Sequence, residues 1–117
     1  MKWMIMVLAA LLAMPAWAQD VPTELAQIQQ RWAEIQYQTP EQEKEKAFEE
    51  LATEAKAFVE RYPDRAEPLI WQGIVLSTYA GAKGGLGALG LVKEARASLE
   101  AALDIDPEAL DGSAYTS

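Results

Sequence analysis

Along most of the chain between Leu25 and Leu103 apolar residues recur at intervals of three and four, and no segment alternates apolar with polar residues in twos. That regularity points to packed α-helices, because such intervals line up on one stripe of a helix, whereas a half-buried strand needs a period of two. Leu25, Ile28, Trp32 and Ile35 form the first stripe, and that helix ends near Tyr37. Thr39, Pro40 and Gln42 then read as a new start: an N-cap, a first helical residue whose missing N–H is harmless, and a capping-box partner. Phe48, Leu51, Ala55, Phe58 and Tyr62 carry the second helix to about Arg61. So short a connection predicts an antiparallel hairpin.

Pro63 ends the second helix, and Asp64 with Glu67 offers the next cap. The third helix carries Leu69, Trp71, Gly73, Leu76 and Tyr79 and frays into the run STYAGAKGGLGALGLV, Ser77 to Val92. The fourth is expected from about Leu89 to Ile105, with Leu89, Val92, Leu99 and Leu103 inward and Lys93, Glu94, Arg96 and Glu100 outward. Asp106 and Pro107 stop it and cap the next segment. The expected class is all-α, built of antiparallel helix hairpins.

The hairpin recurs. Trp71 and Tyr115 each lie eight residues after a proline, Pro63 and Pro107, and those prolines are 44 residues apart. Self-similarity at such a period marks a stacked helical array, in which no single unit buries its own face. In these residues the chain resembles the tetratricopeptide repeats. Ala95 and Leu99 fit the A-x3-F element, Ala102 fits the small residue after it, and LDIDP at Leu103 to Pro107 looks like the usual repeat ending. Leu69, Gly73 and Leu76 stand in the places of W-x2-L-G-x2-Y. The resemblance implies a right-handed solenoid fragment, with one full repeat over about residues 66–107 and partial repeats either side. Two departures stand out: Gln72 occupies an apolar place, and the unit is ten residues longer than the usual length of about 34. Gly73, Ala95 and Ala102 have a direct physical reading, since small residues let two helix backbones approach. The chain stops at Ser117, a turn or two into what would be another first helix, which reads as a truncated array or else as a polar tail.

Residues 1–18 read as a cleavable signal peptide: Lys2, an apolar run from Trp3 to Met14, Pro15, then Ala16 and Ala18 around Trp17. The alternative is an uncleaved anchor, although the run is short for a span of about 20 residues. Cleavage after Ala18 removes one lysine and no acid, leaving nine basic against eighteen acidic residues. Such a chain repels nucleic acid and anionic membrane surfaces. The expected compartment is the periplasm or the exterior, with no disulfides because there is no cysteine.

Histidine is also absent, which removes Ser-His and Cys-His nucleophile pairs and most zinc sites. The glycine run does not contain the P-loop's Gly-Lys-Ser/Thr, since Lys83 precedes its glycines, and the G-x-G-x-x-G match at Gly85, Gly87 and Gly90 follows a helix rather than a strand. Glu41, Glu45 and Glu49 form a solvated ridge. Asp104, Asp106, Glu108 and Asp111 imitate a calcium loop but have no glycine at its sixth position. The glycines read as a turn, with Gly81, Gly84 and Gly85 ending the third helix and Gly87 and Gly90 thinning the fourth. No enzyme activity, cofactor or metal is expected.

The expected function is that of an exported scaffold that binds other proteins. Ile70, Ile74 and Ser77, with Glu67 at the end of the row, share a face of the third helix that could meet a partner's extended peptide. Leu69, Gly73, Leu76, Ala95, Leu99, Ala102 and Pro107 are the expected repeat-packing residues. The glycine run also resembles one found in exported bacterial repeat proteins, which occur as accessory parts of solute uptake systems. That implies an alternative function, binding of a small apolar solute.

Overall fold

The computed structural model describes residues 21–109, which form four helices: α1 (Val21–Gln38), α2 (Glu41–Arg61), α3 (Ala66–Lys83) and α4 (Gly87–Ile105). No strand occurs among the described residues. Residues 1–18, read above as a signal peptide, and Asp111, Tyr115 and Ser117 lie outside the described residues.

Helices α1 and α2 follow the stripes, and α3 adds Val75, which the spacing did not mark. Ile28 and Ile35 of α1, Phe48, Leu51, Ala55 and Phe58 of α2, and Val75 and Tyr79 of α3 make one buried core. Leu25, Trp32, Tyr62, Trp71 and Leu91 pack at its margin. Helices α1 and α2 run antiparallel, because Arg61 at the end of α2 reaches Glu24 at the start of α1 at 2.7 Å while Lys44 Nζ donates to the Gln36 carbonyl at 2.9 Å. Helix α3 lies against α2 and also touches α1, where Trp32 Nε1 donates to Thr78 Oγ1 at 3.1 Å. The most extensive contact is between α3 and α4, and it runs through small residues. Gly73 meets Leu99 and Ala95, and Ala95 and Ala102 are buried.

The α3–α4 turn is made by glycine. Gly84 and Gly85 both have φ near +66°, a left-handed conformation that costs residues with a Cβ. The Gly84 N–H closes the helix on the Ala80 carbonyl at 2.9 Å. Gly81 belongs to α3 rather than to the turn, and α4 begins at Gly87, before Leu89.

Two expected caps are not made. The Thr39 hydroxyl donates back to the Glu34 carbonyl at 3.4 Å, and α2 starts from Pro40 with no side-chain cap. At α3 the N-cap is Arg65, whose guanidinium holds Glu67 at 2.6 Å, so this carboxylate is drawn into an ion pair and Asp64 caps nothing. At α4 the expectation stands, since Asp106 ends the helix and its carboxylate accepts the Glu108 N–H at 3.0 Å.

The inward face of α4 also differs from expectation. Leu91, Ala95, Ser98 and Ala102 turn inward, whereas Leu89, Val92 and Leu103 are exposed, at 58%, 52% and 37% of their surface. Leu99 sits between the two faces, half-buried against Gly73. The reason is distance. A helix that approaches its neighbour at a glycine presents small side chains to it, and the larger residues are turned toward the flank.

Candidate functional site

Four side chains were expected on the outer face of α3, and the structure divides them. Glu67 and Ile70, both half-buried, line a groove of about 530 Å³ at the end of the α3–α4 hairpin. Ile105, Asp106 and Glu108 close its other wall, with Arg65 at the rim. Ile74 and Ser77 lie further along α3, outside that groove. Ile74 is half-buried, and the exposed Ser77 donates its hydroxyl to the Gly73 carbonyl at 2.9 Å, which keeps that donor inside the helix.

The groove's lining sets the aliphatic Ile70 and Ile105 among the carboxylates of Glu67, Asp106 and Glu108 and the Arg65 guanidinium. Burial alone would raise the Glu67 pKa. Its own backbone N–H and the Arg65 guanidinium outweigh that and hold the carboxyl below its ordinary value. Glu67 therefore stays charged through mildly acidic conditions, and its contribution to stability is lost only as pH falls below the usual carboxylate range.

A second groove, of about 410 Å³, lies on the opposite side of α3, between α2 and α4. Gln72, Leu76 and Tyr79 form its floor, and Ala52 and Leu91 stand on its walls. Here the departure at Gln72 finds a physical account, because Ser98 Oγ donates to Gln72 Oε1 at 2.9 Å, so one polar pair is satisfied across the helix contact. The sequence signal was Ser98 itself, a hydroxyl on the small face of α4.

The residues read as packing positions differ in burial. Gly73, Leu76, Ala95 and Ala102 are buried, Leu69 and Leu99 are half-buried, and Pro107 is exposed in the turn after α4. The Lys83 ammonium lies 6.0 Å from the Tyr79 ring centroid. Glu49, read as part of a solvated ridge, accepts the Tyr79 hydroxyl at 3.0 Å. Among the described residues no cluster of acids is placed to hold a metal ion, and no helix is long and apolar enough to cross a membrane.

Contacts that spacing alone did not single out are those of Arg61 with Glu24, of Trp32 with Thr78, and of Ile105 with the end groove. The first pair joins helix ends 37 residues apart, and the second joins helices 46 residues apart. Such contacts follow from the hairpin geometry rather than from local pattern. Comparison with protein-family models, curated protein sequences and solved structures finds no match to this chain.

Proposed function

We propose that this protein is an exported, non-catalytic, tetratricopeptide-like scaffold that binds other proteins through the outer face of α3. The observation that carries the reading is the setting of α3. It is gripped on its inner faces by α1, α2 and α4, yet it keeps Ile70 and Ile74 only half-buried beside Glu67. A rigid helix that shows aliphatic side chains next to a fixed carboxylate suits an extended peptide with an apolar residue and a basic or N–H donor neighbour. Stacked hairpins of this kind hold such a face in place without any cofactor.

Replacing Ile70 and Ile74 with glutamate tests the reading. A pull-down from periplasmic extract with the folded variant, compared with wild type, should lose the captured partner. Unchanged capture defeats the proposal. The alternative, a binder of a small apolar solute, is less well supported, because both grooves described above open to solvent and carry charged residues in their linings. Its support would be an added apolar ligand that raises the thermal midpoint of the purified chain alone.

A further inference from the structure

The outward face of α4 carries a row of aliphatic side chains, Leu89, Val92 and Leu103, with Leu99 at its inner edge. Counted from the two prolines that end α2 and α4, Val92 and Leu103 stand where α2 has Phe48 and Val59. Phe48 is fully covered and Val59 half-covered, because α2 is flanked by both α1 and α3. Among the described residues helix α4 is flanked by α3 alone, and the same face is left open. The other end of the molecule differs: the outer side of α1 shows Gln27, Gln30, Arg31, Glu34 and Gln38 to solvent. Head-to-tail stacking of one copy's α1 on another's α4 is therefore disfavoured, since it would bury that polar side on the aliphatic row.

We infer that the α4 row is a dimer surface that pairs with the same row of a second copy, the two helices antiparallel across a twofold axis. The flanking charges make this pairing self-complementary. When Val92 is set opposite Leu103 of a second copy, and the reverse, Arg96 lies over Leu99 and Lys93 comes beside Glu100. That ion pair forms twice, once on each side of the axis. Lys93 is exposed and has no ion-pair partner among the described residues, while Glu100 already holds Arg96 at 2.8 Å and keeps a second oxygen to offer. The Arg96 stem can lie along the aliphatic row with its head at the edge.

Sedimentation equilibrium of the full mature chain over a wide concentration range tests the inference. The wild type should show a reversible dimer, and Val92→Glu with Leu103→Glu should be monomeric at every concentration while keeping its helical circular dichroism. Lys93→Glu alone should weaken dimerisation at least several-fold, and adding Glu100→Lys should restore it. A wild type that stays monomeric, or a charge reversal that fails to restore the dimer, overturns the inference. So does a chain ending at Ala109 that dimerises when the full chain does not, since residues 110–117 would then be the occupant of this face.

Discussion

Gly73 faces Leu99 so closely that a Cβ placed on the glycine would stand 2.8 Å from Leu99 Cγ and 3.2 Å from the Ala95 carbonyl oxygen. The α3–α4 contact is set by that absence of a side chain. Gly73→Ala brings two opposing effects. Helix propensity gains about 1 kcal/mol, and forcing a methyl group into a filled contact costs about 1–3 kcal/mol. The backbone oxygen cannot rotate away, so the second effect should win by about 1 kcal/mol. Urea unfolding should show the loss, and in a Leu99→Ala background it should shrink or reverse, as expected for residues in direct contact. Equal losses in both backgrounds would mean that Leu99 is not the obstacle.

Gly81 and Gly90 should behave in the opposite way. Both lie within helices at ordinary helical φ, and a Cβ at either would meet nothing within 4 Å. Gly81→Ala and Gly90→Ala should each stabilise the fold by about 0.5–1 kcal/mol. Thermal midpoints that fall instead would show that these two glycines serve a close approach by something outside the described residues.

Read from sequence, α1 and α2 were legible because their core residues are large. Ile28, Ile35, Phe48, Leu51 and Phe58 mark the buried stripe by size, and the structure buries each one. The same rule misled at α4, where Leu89, Val92 and Leu103 look like a core stripe and are exposed. There the true contact is made by Ala95, Ser98 and Ala102, and a small residue on a surface looks the same as a small residue at a close contact. Gly73, Ala95 and Ala102 became legible only together, as three small residues on two successive helices. The caps misled for a different reason. Thr39 and Glu67 are the right residue types, but the N-cap position of α2 falls on Pro40, one residue past Thr39, and Glu67 is held by the neighbouring Arg65. At the candidate site, Glu67 and Ile70 were legible from helical spacing, whereas Ile105 joins them only through the antiparallel return of α4.

The ion pair between Glu24 and Arg61 makes a lopsided prediction. The Glu24 side chain keeps 11% of its surface exposed and the Arg61 side chain 53%. Removing the arginine strands a nearly buried carboxylate, whereas neutralising the glutamate leaves an arginine that water can still reach. Arg61→Met should therefore cost about 1–3 kcal/mol and Glu24→Gln clearly less. Urea midpoints at neutral pH would rank the two. A larger loss from Glu24→Gln would mean that the position of Glu24 in the first turn of α1, where a negative charge suits the helix dipole, outweighs the pairing.

Tyr79 gives the pH-dependent test. Its ring is buried to 8% exposure in the core, and its hydroxyl donates to Glu49 Oε2 at 3.0 Å. Burial first, then the hydrogen bond to Glu49 and the charges of Glu49 and Glu45, push the phenol pKa above its ordinary value of 10.0. The folded state thus holds this proton more tightly than the unfolded chain does. The resulting stability is complete below pH 10 and is lost as pH rises through the higher folded value. Tyr79→Phe should cost about 0.5–1 kcal/mol at neutral pH, the value of a partly exposed hydrogen bond. Above pH 10 the deficit should close, because phenylalanine has no proton to lose while wild type must bury a phenolate beside two carboxylates. Every other titratable group is common to both proteins, so the difference between the two unfolding curves, taken at neutral pH and at pH ~11, isolates the tyrosine. A difference that stays constant across that interval would place Tyr79 outside the acidic surroundings of Glu45 and Glu49, and with it the seating of α3 on α2.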